Sequence, residues 1–293
     1  MKKIIIAVLL VSLLIVAGCA TSSAGSADSP ERLAGNDGGS ADTEGKTAVK
    51  EIVKIPYVLK NTNYFSDGYI ESYMVYTYDE NMKVVREDLF DSFDEIIESA
   101  VSEVLEDGSV KRELFDSRGI LKSWRKTVND GNENPIRIES YSADDELQTV
   151  SEYSYNEIGG KTLWRVLDAD GIVISETRYL YEDGLNTRID IYDASMTLYE
   201  YFVNEYEDGR RVKNSHFDAD GKLKAAIEYV YTEGAVSAEK YLRANGSTSR
   251  TVSYINDAEG SHLKAEYFDG NGKLKDWTET EYEYVSEEVT VWK

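Results

Sequence analysis

Cys19 is the sole cysteine of the 293-residue chain, and it follows Val16-Ala17-Gly18 directly behind a leader that starts with Lys2 and Lys3 and runs almost unbroken in apolar residues from Ile4 to Ala17. A thiol at such a boundary has two fates. It can be acylated after cleavage just before it, or be left free by an ordinary secretory cut after Ala17 or Gly18. The apolar run is too short and too early for a spanning helix, so it reads as an export signal. With Cys19 acylated, no cysteine remains for a disulfide, and the folded part must be held by burial and strand pairing.

The other residues that invite chemistry recur with turns. Asp168-Ala169-Asp170-Gly171, Asp218-Ala219-Asp220-Gly221 and Asp269-Gly270-Asn271-Gly272 each contain part of a calcium loop. The full loop also needs acidic ligands two residues before the first Asp and six after the Gly. Those places hold Val166 and Thr177, His216 and Ile227, and Tyr267 and Thr278, so the tetrads read as hairpin turns with at most a weak calcium contact. His216 and His262 each sit beside a hairpin with no second ligand nearby in sequence, although their units are close enough that contact in space is conceivable. Among so many carboxylates some pair could stand at glycosidase distance, but an active site is a single asymmetric constellation and these acids recur with the period. No Gly-x-Ser-x-Gly, phosphate loop or dinucleotide fingerprint is present. No catalytic residue, metal or cofactor is therefore expected. Trp124, Trp164, Trp277 and Trp292 could line a sugar or peptide groove or simply pack the sheet.

The segment ending at Cys19 resembles the signal and lipobox of bacterial lipoproteins. That resemblance implies a mature N-terminal cysteine carrying thioether-linked diacylglycerol and an amide-linked acyl chain, with the bilayer as partner. Residues 1–18 are then the signal peptide. Residues 19–48 are the lipidated cysteine and a Ser/Gly/Asp-rich tether, read as a flexible stalk rather than a loop packed on the domain, with a stand-off of roughly 30 Å. Residues 49–293 are the folded body.

Charge narrows the partners. The full chain carries a formal net charge of −23, and removing Lys2 and Lys3 takes Lys+Arg from 32 to 30 against 55 acids, a net −25. Such a surface repels phosphate, which excludes nucleic acid and leaves anchoring to acyl chains rather than headgroup attraction. Only 3 prolines against 22 tyrosines favour sheet for a body long enough to bury a sizeable core.

The body repeats. Phe65, Phe90, Phe115, Tyr141, Leu167, Tyr192, Phe217, Leu242 and Phe268 each precede a turn tetrad at spacings of 25 or 26 residues, which predicts an array of one supersecondary unit. The Asp-x-Asp-Gly turns want a type I turn followed by a residue at positive φ. Half a period later come Glu106-Asp107-Gly108, Glu182-Asp183-Gly184, Glu207-Asp208-Gly209 and Thr232-Glu233-Gly234, so each unit is two strands and two turns. Between turns Leu223, Ala225, Ile227, Tyr229 and Tyr231 alternate with Lys222, Lys224, Ala226, Glu228 and Val230, predicting one apolar and one wet face. Pairs two apart, such as Tyr76 and Tyr78, Tyr153 and Tyr155, Tyr179 and Tyr181, Tyr229 and Tyr231, and Tyr282 and Tyr284, share a face. Those at 153, 155, 179, 181, 229 and 231, with Trp124, Trp164 and Trp277, are the candidate ligand-surface aromatics.

The predicted fold is all-β. An antiparallel meander of sixteen to eighteen strands must curl into a barrel, a spiral shell or a sandwich to hide its apolar face. Residues 92–105 are ambiguous: Ser92-Phe93-Asp94-Glu95 has the form of a capping box before a helical spacing, but the unbroken period favours a strand.

The recurring aromatic-x-Tyr and Asp-x-x-Gly-x-Leu motifs over residues 57–284 resemble the YD repeats of RHS proteins and, less closely, MORN-type repeats. The resemblance implies a β-sheet shell or scaffold without intrinsic catalysis. Together these readings give a lipid-anchored envelope protein, on the surface or periplasmic face of the outer membrane with the outward face favoured, acting as a non-catalytic binding or structural scaffold for a protein or glycan. The rivals are a periplasmic assembly or immunity-type partner of a basic client, and an enzyme acting on envelope glycan.

Overall fold

The computed structural model describes residues 48–292; Cys19, the leader and the tether lie outside them. The strands in chain order are β1 (Ala48–Phe65), β2 (Ile70–Tyr78), β3 (Val84–Asp91), β4 (Ile96–Val104), β5 (Val110–Asp116), β6 (Leu121–Asn129), β7 (Pro135–Ser142), β8 (Leu147–Tyr155) and β9 (Lys161–Asp168). They continue as β10 (Val173–Glu182), β11 (Leu185–Tyr192), β12 (Leu198–Glu207), β13 (Arg210–Asp218), β14 (Leu223–Thr232), β15 (Ala235–Arg243), β16 (Thr248–Asn256), β17 (His262–Asp269) and β18 (Leu274–Trp292). Every strand pairs antiparallel with its sequence neighbours, and β18 pairs with β1 from Phe65↔Asp276 to Ala48↔Trp292. The meander therefore closes into an 18-stranded β-barrel. Of the three curled forms left open by the sequence, this is the first. Residues 92–105 form a turn and then a strand, with no helix: Asp94 takes φ 62° in the turn, and β4 (Ile96–Val104) follows it.

Turn chemistry sets the period. At Asp218 the backbone N–H donates to Lys222 O at 3.1 Å, Gly221 N–H donates to Asp218 O at 3.0 Å, and the Asp218 carboxylate accepts Lys222 N–H at 2.9 Å. Gly221 sits at φ 83°, the expected left-handed residue after a type I turn. The same pair of backbone bonds recurs at both rims, with Asp116, Asp168, Asp193 and Asp269 among the carboxylates that clasp their own turn. The turns at 183–184, 208–209 and 233–234 are tighter, with both central residues at positive φ. Glu106-Asp107-Gly108 belongs with the longer kind, since Leu105 N–H reaches Ser109 O at 2.8 Å.

Each upper hairpin, such as that at Asp218, carries a register shift at its anchor: Phe90, Phe115, Tyr141, Tyr192, Phe217, Leu242 and Phe268 all lie at one. In the first unit the shift falls at Tyr64 instead of Phe65, and Tyr64 stacks on Trp277 at 5.1 Å. The shift at Phe217 also corrects the expected alternation in β14. Leu223 stands opposite Phe217 while Ala225 stands opposite His216, so Leu223 leaves the face that Ala225, Ile227, Tyr229 and Tyr231 share.

The expected single apolar core does not form. Among the described residues the buried apolar side chains are Ala100, Val150, Phe202, Ala226 and Val252, drawn from both faces of the sheet. Backbone pairing carries the fold instead, and tyrosine completes it where pairing stops. Strand pairs flanking an upper hairpin separate toward the lower rim; β7 and β8, for example, last pair at Arg137↔Glu152. Beyond that point Tyr155 Oη donates to Pro135 O at 2.9 Å. The bond recurs at twenty-residue separation from Tyr78 to Val58, Tyr181 to Lys161, Tyr206 to Asn186, Tyr231 to Arg211 and Tyr282 to His262, at 2.7–3.2 Å. Asn256 replaces it in one unit, donating to Val236 O at 2.9 Å. A carbonyl left half-buried without a donor would otherwise weaken each gap. Tyr155→Phe, Tyr181→Phe, Tyr206→Phe and Tyr231→Phe should each lower stability by about 1 kcal/mol in urea unfolding, near-additively when combined, while exposed Tyr69→Phe should be neutral.

Candidate functional site: the inner wall of the barrel

Strand pairing sorts the side chains onto two walls. One wall carries Tyr76, Glu87, Arg112, Arg125, Tyr153, Trp164, Phe202, His216, Tyr241, Tyr254 and Tyr267. This wall is the concave, inner one. Burial is the leading cause that pushes the Tyr76, Tyr153, Tyr241, Tyr254 and Tyr267 phenols up, and Arg112 reaches from β5 past Ala100 of β4 to meet Glu87 of β3 at 2.6 Å. The ring bends tightly here. Lys83, in the turn after β2, pairs with Glu133, in the turn after β6, at 2.8 Å.

The outer wall is charged at mid-height. Glu176 on β10, 1% exposed, is clasped by Arg165 at 2.6 Å and Arg178 at 2.7 Å. Around the ring follow Arg188–Asp190, Lys264–Glu266, Arg137–Glu139, Arg137–Glu152, Lys111–Glu113 and Arg86–Asp88. Above them lies a row of stacked rings at the anchors: Tyr73–Phe90, Trp124–Tyr141, Tyr201–Phe217 and Tyr64–Trp277, with centroids 3.9–5.1 Å apart.

The structure divides the aromatics expected at a ligand surface. Tyr153, Tyr155, Tyr179, Tyr181, Tyr229, Tyr231 and Trp164 lie on the inner wall, where Tyr153 and Trp164 stack with centroids 6.2 Å apart. Trp124 and Trp277 lie outside and serve packing: Trp124 Nε1 donates to Asp145 at 2.8 Å, and Lys111 and Lys264 cover the two indoles. The four tryptophans thus form no common groove, and the side chain of Trp292 lies outside the described set. The hydroxyls of Tyr155, Tyr181 and Tyr231 are already committed to backbone, so what they offer a ligand is ring edge and face. The Tyr78 and Tyr155 phenols are held up to about 12 by burial, which keeps them protonated donors.

Acid–base and metal chemistry find no assembly. His216, near the upper rim of β13, bonds Glu200 at 2.8 Å and stacks on Phe202. His262, at the lower rim of β17, bonds Asn256 at 2.6 Å and stacks on Tyr254, and burial holds it below the usual histidine value. They sit at opposite ends of strands four apart, so the conceivable contact does not occur. Among the described residues no group of three or more His, Cys, Asp or Glu is placed to hold a metal. The turn carboxylates that mimic calcium loops each commit Oδ1 to turn N–H groups. A hollow of about 350 Å³ on the outer wall beside Arg86, Ser99 and Phe115 is likewise lined by committed groups, since Arg86 and Ser99 both bond Asp88.

Sequence reasoning passed over Glu87, Arg112 and Arg125. The signal was available: Arg112 stands three residues before its anchor Phe115, where the unit anchored at Leu167 has Trp164.

Fold and walls together define a closed antiparallel barrel with an ion-paired exterior and an aromatic, hydroxyl-rich interior. No family model and no curated protein matches the chain. Among solved structures, a porin-like protein from Bacteroides uniformis aligns at 14% identity over 78% of this chain and 98% of that one, with a TM-score of 0.42. A porin-like protein from Bacteroides vulgatus aligns at 11% identity over 78% and 99%, with a TM-score of 0.33. TarM aligns at 16% identity over 42% and 20%, with a TM-score of 0.18. Likeness at this level carries no function across.

Burial opposes the charge on Glu176, but hydrogen bonds from Arg165 and Arg178 outweigh it and hold the carboxyl below its usual range. A depressed folded value gives stability that is present above the unfolded glutamate value and lost as pH falls through the folded one. Glu176→Gln should cost about 3 kcal/mol at pH 7, with the gap to wild type narrowing below about pH 4.5, read from urea midpoints at each pH.

Proposed function

We propose that this chain is a lipid-anchored protein of the cell envelope whose barrel stands in water and acts as a non-catalytic binding scaffold, with the inner wall as its binding surface. The observation that carries this is the outer wall. A barrel embedded in lipid presents an apolar band about 25 Å tall, whereas here Arg165–Glu176–Arg178, Arg188–Asp190 and Lys264–Glu266 occupy the middle of the outer face. Desolvating such pairs in hydrocarbon is costly, so the acyl chains on Cys19 are left to hold the protein at the bilayer. The interior offers what a ligand surface needs: aromatic faces such as the Tyr153–Trp164 stack, with scattered polar groups between them. Repetition supports a scaffold over an enzyme, since the turn acids recur with the period and clasp their own turns.

Two measurements test the reading. Wild-type protein should label with fatty acid and partition into detergent, and Cys19→Ala made without residues 2–18 should do neither while remaining a dispersed, β-rich monomer in plain buffer. Partitioning of the variant into detergent would mean that the barrel itself seeks lipid, against the reading. In the Cys19→Ala background, Ser151→Cys on the inner wall should react with a small maleimide but resist one carrying a 5 kDa polymer. If neither reagent reacts, the interior admits no ligand and the binding role falls.

A further inference from the structure

The inner wall repeats, and one residue breaks the repetition. Ten residues beyond the anchors Phe90, Tyr141, Leu167, Tyr192, Phe217 and Leu242 stand Ala100, Ser151, Thr177, Phe202, Ile227 and Val252, all neutral. Ala100, Thr177, Phe202 and Val252 are between 2% and 7% exposed, while Ser151, Ile227 and Arg125 are half-buried. Ten residues beyond Phe115 the chain has Arg125.

Its surroundings do not explain it as structure. Arg125 lies directly opposite Arg112 on β5 and Ser140 on β7. The one carboxylate at hand, Glu87, is taken by Arg112, whose Nε and Nη2 reach it at 2.8 and 2.6 Å. Among the described residues Arg125 makes no hydrogen bond or ion pair, and its Nε is buried without an acceptor. Placing one half-buried guanidinium directly opposite another, with its Nε enclosed and only one acid for the pair, destabilises the free protein. Burial and the Arg112 charge accordingly push Arg125 below its ordinary value. The spot is also locally basic inside a strongly acidic molecule.

An oxyanion resolves all three features, since a guanidinium presents a fork of donors that fits carboxylate and phosphate. Ser102 and Ser140 flank the two arginines in the same row, and Tyr153, two strands from Arg125, brings the aromatic stack with Trp164 beside it. We propose that Arg125, supported by Arg112, binds the carboxylate or phosphate of a small sugar-sized ligand that enters the barrel and rests on the Tyr153–Trp164 stack. The proposal rests on the inner wall being the binding surface.

Calorimetric titration of the mature full-length protein with glucuronate, glucose 1-phosphate and neutral glucose tests it. At least one charged sugar should bind ten-fold or more tightly than glucose, with affinity falling as salt rises. Arg125→Gln should weaken that binding ten-fold or more without lowering the melting temperature, and Arg125→Lys should restore part of it. The proposal is overturned if glucose binds as well as the charged sugars, if neither charged sugar binds at millimolar concentration, or if Arg125→Gln binds like wild type. Failure of this kind with Ser151→Cys still reacting with small maleimide removes the anion site and leaves the accessible interior standing, so the two ideas fail separately.

Discussion

Everything in this molecule depends on β18 finding β1. Up to that pairing the chain is a long antiparallel meander whose two outermost strands present unpaired N–H and C=O groups, and neither face of the sheet is apolar enough to be buried against another layer. Closing the ring satisfies the backbone without a dense core. The scarcity of buried apolar side chains is thus a consequence of closure and of the width of an 18-stranded ring, which lets both walls stay partly wet. Where closure leaves gaps, at the lower rim between hairpins, a tyrosine hydroxyl reaches the carbonyl twenty residues back. Aromatic enrichment, which at first sight suggests a greasy lumen, serves hydrogen bonding as much as apolar contact.

Charge follows the same repeat. In β3, β5, β7, β11 and β17 a basic residue stands two positions before an acid on the outer wall, as in Arg86–Asp88, Lys111–Glu113, Arg137–Glu139, Arg188–Asp190 and Lys264–Glu266. Singly and at the surface each contributes little. Their regular placement matters more for the surface the barrel presents than for how stable it is, since a wall of this kind is costly to desolvate.

Much of this was legible in the residues. The 25- to 26-residue period, the two turns per unit and the left-handed residue after each type I turn follow from local preferences that tertiary packing did not override, whereas the strand at β4 follows from the unbroken period against a locally helix-like pattern. Shape was less legible, because barrel, spiral and sandwich share one local pattern and differ only in whether the last strand meets the first, a contact more than two hundred residues apart. Wall assignment failed in places for a specific reason: a register shift beside each anchor puts an extra residue on the strand that follows the upper turn, which moved Leu223 to the far wall and separated Trp124 and Trp277 from Trp164. The inner arginines were passed over because attention went to what recurs, whereas Arg125 matters by departing from it. Cys19 lies outside the described residues, and its proposed acylation rests on its sequence context.

The ribbon of β1 and β18 has a kinetic consequence. All eighteen strands can zip onto their sequence neighbours through turns of a few residues, in any order and early, because each such step closes only a small loop. The join between residues 48–65 and 274–292 is different in kind, since it must gather the two ends of the whole array and comes late by necessity. Until it happens the chain holds two sticky flanks, which can capture each other or those of another molecule. The ten or so extra residues by which β1 and β18 overrun the lower rim lengthen that final seam, so the slowest step of assembly ends in the longest stretch of pairing that the protein possesses.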